Sequence, residues 1–219
     1  MGPNGVGEGT AVAFASQSPG VLILASRTKS KLEDVASQIS SSYPDVIVKL
    51  VSLDLSSQES VRRAAAEISR TVSKLDILVN NAGAVVQTRQ WTAEKIELQF
   101  GTNHIGPFLL TNLLLPQLRA AARTRRPGAT RIVNVASHGH RLSPVRFHDW
   151  NFEARAVPPE EEPRAPRASP FGRAADDGYP GMLAYAQSKT ANILFTVSLR
   201  EALQARGIAA YCLHPGGER

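Results

Sequence analysis

Short apolar runs along this 219-residue chain alternate with stretches in which apolar residues recur every three or four positions. The first run, Val21-Leu-Ile-Leu-Ala25, is uninterrupted, as a strand covered on both faces requires. Leu32, Val35, Ala36 and Ile39 then recur at helical spacing. Residues 46–51 predict the next strand, which ends at Leu53-Asp54-Leu55. Ser56-Ser-Gln-Glu59 reads as a capping box, opening a helix with the stripe Val61, Ala64, Ala65 and Ile68. Leu75-Asp-Ile-Leu-Val79 predicts a buried strand that runs into Asn80-Asn-Ala-Gly83. One long helical stretch carries Phe108, Leu109, Leu113, Leu114 and Leu118. A strand over 131–136, a helix from about Leu183 to Ala205 and a strand over 208–213 complete the alternation. Such alternation implies repeated βαβ units around a parallel sheet, an α/β fold.

Residues 151–180 break the pattern. They hold six of the 14 prolines and ten charged residues with no periodicity, so they read as a long irregular insertion, either an ordered lid or a mobile one. At roughly 100–200 residues per domain the whole chain, 1–219, is one domain. Hydrophobic residues are 42% and charged residues 20%, which excludes a disordered or fibrous chain. The lone Cys212 excludes a disulfide-built scaffold. Lysine and arginine number 25 against 19 acids, a net charge of +6. The excess lies in loop-like text without interleaved aromatics, so nucleic-acid binding is not expected. No run approaches the roughly 20 apolar residues of a membrane span. The amino terminus has no signal-peptide pattern, and a soluble cytoplasmic protein is the expectation.

Candidate chemistry clusters at predicted strand ends. Gly5-Val-Gly7 precedes a helical run and suits close approach of a pyrophosphate to a helix N-terminus. Twenty residues on, Arg27 stands at a strand end with no acid between Ala25 and Lys31, which favours a 2′-phosphate and hence NADP, with NAD as the alternative. Tyr185-Ala-Gln-Ser-Lys189 puts a phenol and an ammonium on one helical face, where the cation favours the phenolate. Ser137 follows a strand at its carboxyl end, and its hydroxyl suits a substrate carbonyl oxygen. Asn103 places a polar amide inside a predicted helix. Five histidines are present, but no set has zinc-ligand spacing, so no metal is expected.

In these blocks the chain resembles the short-chain dehydrogenase/reductase family over nearly its whole length. The blocks are the Gly5/Gly7 turn, Asp54-Leu55, Asn80-Asn-Ala-Gly83, Asn103, Ser137, Tyr185-Ala-Gln-Ser-Lys189 and Pro215-Gly216. Leu24-Ala-Ser-Arg27 and Ser137-His-Gly-His140 with its long insert are similar to the retinol-dehydrogenase-like and WW-domain-oxidoreductase-like branch. The resemblance implies a Rossmann-like doubly wound parallel sheet and hydride transfer between a nicotinamide and a carbonyl or alcohol. It makes Tyr185 the general acid/base, Lys189 its ribose-binding partner, Ser137 the group orienting substrate and Asn103 the holder of a relay water. Gly5 and Gly7 would pass the phosphates and Arg27 would meet the 2′-phosphate. Asp54 and Leu55 would flank the adenine, Asn81, Ala82 and Gly83 would line the cleft, and Pro215 and Gly216 would border the nicotinamide. A small-molecule substrate and a homodimer or homotetramer follow from the same likeness.

The chain departs from the family at both ends. The first of three family glycines falls at Met1 or Gly2, no apolar strand precedes the turn, and the text stops with Pro215-Gly-Gly-Glu-Arg219. The expected sheet therefore lacks the family's first and last strands, and closing the gap requires moving half of it or leaving a slot. An incomplete reductase, or a short form that binds nucleotide or a partner without catalysis, is the alternative function. A scaffold using 151–180 as its docking element is a third.

Overall fold

The computed structural model describes residues 5–164, 174–176 and 178–216. The first unit runs α1 (Val6–Ala15), β1 (Val21–Ser26), α2 (Lys29–Ser42) and β2 (Ile47–Ser52). The chain continues through α3 (Gln58–Thr71), β3 (Ile77–Asn80) and α4 (Leu98–Phe100) into a π turn (Gly101–Ile105) and α5 (Gly106–Leu113). α6 (Leu115–Ala122), β4 (Thr130–Val135), α7 (Gly181–Leu203) and β5 (Ile208–Leu213) follow. The predicted long helix is interrupted at Leu114, whose ψ is 0°, because Pro116 opens α6 and supplies no N–H to continue the ladder.

All pairings are parallel, as the alternation requires. β1 pairs β2 from Val21↔Ile47 to Ser26↔Ser52, and β4 lies between β3 and β5. The strands do not form one sheet, however: β1–β2 and β3–β4–β5 are separate, with a seam between β1 and β3. The slot expected from the sequence is thus left open. Apolar packing spans it, since Ile23 and Ala25 of β1 and Leu78 of β3 rest on one cluster with Val61, Ala65 and Leu110. The opposite face of β1 carries Leu22 and Leu24 against Ala11, Ala15 and Ile39. Both faces are therefore covered, yet no residue of β1 or β3 is fully buried, because one edge of each strand is open. Full burial, as the apolar runs suggested, is reached instead in the second sheet, where Ile132 and Ile208 pack with Leu118, Phe195 and Leu203.

Two local expectations are corrected. Ser57, not Ser56, caps α3, accepting from the Ser60 amide at 3.3 Å. Ser56 is held by Asp54 Oδ1, which accepts from its amide at 2.9 Å and its hydroxyl at 2.6 Å, and Glu59 pairs with Arg63 instead of closing a capping box. The insertion is packed in its first half. Phe152 and Glu161 are buried, Glu161 accepts from the His148 amide at 3.1 Å, and Arg164 N donates to Leu142 O at 2.9 Å. Residues 165–173 and 177, which the lid-or-mobile expectation also covered, lie outside the described residues. Among the described residues no helix is long and apolar enough to cross a membrane.

The start of α5 is fitted tightly to the turn after β2. A Cβ on Gly106 would collide with the backbone carbonyl of Leu55 and come 2.9 Å from its Cβ. Gly106→Ala is expected to destabilise the chain by about 2 kcal/mol through overpacking against backbone. Urea unfolding measures this, and an unchanged midpoint would contradict the packing.

Candidate active site

The parallel register of β3, β4 and β5 delivers Asn81–Gly83, Ser137 and His214–Pro215 to one edge, the carboxyl ends of the strands. α7 packs across these strands through Phe195, Leu199 and Leu203, which brings its first turns to the same edge. Lys189 is 4% exposed, and its Nζ donates to Val135 O at 2.9 Å. The same Nζ lies 5.6 Å from the centroid of the Tyr185 ring, within cation–π range. Burial lowers the Lys189 pKa to about 8, with the nearby Cys212 thiol opposing the shift. Gly83 provides the space: a Cβ there would stand 3.5 Å from Lys189 Nζ and 3.1 Å from Asn103 Oδ1.

Ser137 caps a 3-10 turn (His138–Leu142), its Oγ accepting from the Gly139 amide at 3.1 Å. A Cβ on Gly139 would be 3.4 Å from Tyr185 Cε1 and 3.5 Å from Ser137 Oγ, so serine and tyrosine flank one backbone position. Thr190 ties this turn to α7, its Oγ lying 2.7 Å from Ser143 O and 2.9 Å from His140 O. The Tyr185 hydroxyl makes no hydrogen bond among the described residues. Asn103 is buried in the π turn, a local distortion frequent at functional sites. Its Oδ1 accepts from Ala84 N at 2.6 Å, and its Nδ2 donates to Ala84 O at 2.9 Å and Ser188 Oγ at 3.0 Å. The four residues singled out from sequence thus converge on one strand edge.

At this point the comparisons with known proteins decide the family. The sequence pattern of the short chain dehydrogenases matches residues 2–146. The chain is 36% identical over 216 residues to an oxidoreductase, fscI, of Fusarium equiseti, covering 98% of this chain and 83% of that protein. It is 38% identical over 216 residues to human retinol dehydrogenase 13, covering 98% of this chain and 56% of that protein. The chain belongs to the short-chain dehydrogenase family. Within that family it lies on the retinol-dehydrogenase-like branch, spanning little more than half the length of those relatives. Among solved structures, a Mycobacterium paratuberculosis protein superposes with a TM-score of 0.71 at 33% identity, covering 98% of this chain and 65% of that one. An NADPH-bound carbonyl reductase from chicken fatty liver, TM-score 0.66 at 23% identity over 98% of this chain and 76% of that one, shares the fold.

The cofactor candidates of this short-chain dehydrogenase are placed unevenly. Gly5 is the N-cap of α1 with no side-chain cap, and a Cβ there meets nothing within 4 Å, so sterics do not demand that glycine. Gly7 sits close to the end of β3: a Cβ there would lie 2.8 Å from Asn81 Nδ2, the end of a side chain that can turn aside. Glu8 in the first turn of α1 sets a negative charge near the proposed phosphate position. Arg27 is exposed just after β1, while Lys29 pairs with Glu33 at 3.4 Å. Asp54 spends its carboxylate on Ser56, and Leu55 packs on the α3–α5 cluster. Ala82, Pro215 and Gly216 are exposed, the last with φ +96°. Met1 and Gly2, the alternatives for a first glycine, lie outside the described residues.

A hollow of about 180 Å³ where the chain enters the insertion, lined by Phe147, Asp149, Trp150 and Glu153, contains none of these residues. Among the described residues no group of three or more His, Cys, Asp or Glu side chains stands together. His104 instead packs among Phe100, Phe108 and Phe195, and burial lowers its pKa.

A polar row beneath the edge escaped the sequence reading. Asn80, Asn134 and Cys212 share one register line across β3, β4 and β5. Asn80 Nδ2 donates to Asn134 Oδ1 at 2.8 Å and Thr111 Oγ1 at 3.0 Å, and Asn134 Nδ2 donates to Thr196 Oγ1 at 2.9 Å. The signal was there, since Asn134 interrupts an otherwise apolar strand.

Lys189 gives a pH test of this geometry. Its folded pKa of about 8 lies below the ordinary 10.5, so between those values the unfolded chain binds the extra proton. Stability contributed by this group therefore rises with pH across that window. Cys212, raised above 9.0 by burial, acts in the opposite sense above that pH. Unfolding of wild type and Lys189→Met from pH 7 to 10.5 separates the two. The stability difference, wild type minus variant, is expected to grow with pH, and a flat difference would contradict an ammonium destabilised by burial.

Proposed function

We propose that this chain is an NADP(H)-dependent oxidoreductase, one domain over 1–219, that interconverts a carbonyl and an alcohol at Asn103, Ser137, Tyr185 and Lys189. The observation that carries the reading is the Lys189 ammonium held 5.6 Å from the Tyr185 ring, beside Ser137 at the strand edge. In this reading the Tyr185 hydroxyl gives a proton to the substrate oxygen during reduction and recovers it during oxidation. The Lys189 ammonium lies beside the ring whose hydroxyl exchanges that proton. Ser137 Oγ accepts from Gly139, which leaves its own hydrogen for the substrate oxygen. The Asn103 amide is occupied by Ala84 and Ser188, so a relay water would rest on its backbone carbonyl.

The residues fit a nicotinamide dinucleotide. The close approach at Gly7 and the uncapped start of α1 suit its pyrophosphate. Arg27 suits a 2′-phosphate, Asp54 and Leu55 the adenine side, and Asn81, Ala82, Gly83, Pro215 and Gly216 the inner cleft. When bound, that cofactor supplies the hydride donor and acceptor. Retinol, named for the relatives, is the first alcohol to try with its aldehyde, followed by simpler ketones and aldehydes. A second reading, nucleotide or partner binding without turnover, is favoured by the seam between β1 and β3, which divides the phosphate end from the catalytic end.

Fluorescence titration with NADPH and NADH, followed by turnover assays, tests both readings. Tyr185→Phe is expected to lower kcat at least 100-fold while NADPH binding is kept. Tight NADPH binding with no wild-type turnover would overturn the first reading and support the second. Arg27→Glu is expected to weaken NADPH at least tenfold and leave NADH within twofold, as loss of a charge-assisted contact requires. Equal weakening of both would remove Arg27 from phosphate recognition.

A further inference from the structure

Three segments that carry the proposed chemistry meet at one buried point behind it. They are the loop after β3 that holds Gly83, the start of α4 that leads to Asn103, and the first turn of α7 that leads to Tyr185. Glu97, fully buried, caps α4: its Oε1 accepts from the Gln99 amide at 2.8 Å and its Oε2 from the Phe100 amide at 2.7 Å. The Tyr179 hydroxyl donates to the same Oε1 at 2.6 Å. Gln99 Nε2 lies 2.6 Å from that hydroxyl, 2.8 Å from Gly181 O and 3.2 Å from Val86 O, and Gln99 Oε1 accepts from Val86 N at 3.2 Å. Contact is so close that a Cβ on Gly181 would stand 2.5 Å from Val86 O and 2.9 Å from Gln87 Cα. Arg89 covers the Tyr179 ring at 5.0 Å and donates to Asn151 O at 2.8 Å and Phe152 O at 2.7 Å, attaching the insertion to the same point.

Apolar side chains could fill this volume at lower desolvation cost. What they could not supply is direction. Each hydrogen bond here fixes an angle or a register between two segments, and together they fix all three. Burial raises the pKa of the Glu97 carboxyl, and it pushes the Tyr179 phenol well up, aided by the Glu97 charge, so Tyr179 stays a donor. Gly181 precedes Tyr185 by four residues, about 6 Å of helix rise, so a tilt at the start of α7 is carried directly to the phenol.

We propose that Glu97, Gln99 and Tyr179 are positioning residues that fix the start of α7, and through it Tyr185, against the cleft of Gly83 and Asn103. The proposal rests on Tyr185 being the acid–base group. It is tested on the full chain with Tyr179→Phe, which keeps the ring, with Glu97→Gln, and with the double variant. Each single variant is expected to lower kcat about tenfold in the folded fraction while KM for NADPH stays within twofold. The double variant is expected to be no slower than the slower single, since the groups act as one unit. Variants with lower melting temperatures but unchanged kcat, or with multiplying losses, would overturn the proposal. Hydrogen exchange gives a readout free of turnover: the Leu183 and Ala184 amides, which donate to Pro180 O, are expected to exchange at least tenfold faster in both single variants. Unchanged protection would overturn the positioning role even in a chain that does not turn over. Absence of wild-type turnover alone would fail the functional reading instead.

Discussion

A lysine ammonium withdrawn from water is the constraint around which this molecule is arranged. Lys189 has one carbonyl acceptor, Val135 O, and little solvent. An ammonium so placed is tolerated only where neighbours hold it in one geometry. Elements from each strand of the second sheet do this: Gly83 after β3 leaves room, Val135 of β4 accepts, and Cys212 of β5 stands alongside. The glycine, the carbonyl and the helix bearing the lysine must all arrive together. The parallel register and the packing of α7 on β4 and β5 make that arrival a property of the fold and not of a loop.

Below the lysine, the order is kept by buried hydrogen bonds and not by apolar contacts alone. The line Asn80–Asn134–Thr196 fixes β3, β4 and α7 to one another. The Glu97–Gln99–Tyr179 group fixes the loop, α4 and the start of α7. Polar pairs of this kind are sensitive to angle, whereas methyl groups slide. The strand edge that carries Ser137, Tyr185 and Lys189 is thus braced from two sides, by the row under the sheet and by the cluster behind the helix.

Sequence patterning carried most of the elements and singled out the four side chains that the fold gathers at one strand edge. The uninterrupted run at 21–25 became a strand with helices against both faces, the run at 208–213 became a strand buried at Ile208 but exposed at Tyr211 and Leu213, and the Tyr185/Lys189 spacing survived because a long helix preserves it. Three kinds of information were out of reach. A one-residue shift from Ser56 to Ser57 as helix cap was decided by Asp54 capturing Ser56, a contact that periodicity does not encode. The break at Leu114 was set by Pro116 against an apolar pattern that continued through it. Glu97 and Tyr179 are 82 positions apart, and their meeting exists only once α7 has crossed the sheet. Gly83 and Asn103, by contrast, were legible separately but not as two sides of one narrow space.

The seam between β1 and β3 has a mechanical consequence. Across it no backbone ladder fixes register, and the two sheets are joined by side-chain packing through α3 and α5. The half with Gly5, Gly7 and Arg27 and the half with Ser137, Tyr185 and Lys189 are therefore coupled softly, like two plates joined by a gasket. Any long ligand gripping both plates would act as a brace, so occupancy and stiffness would become one variable.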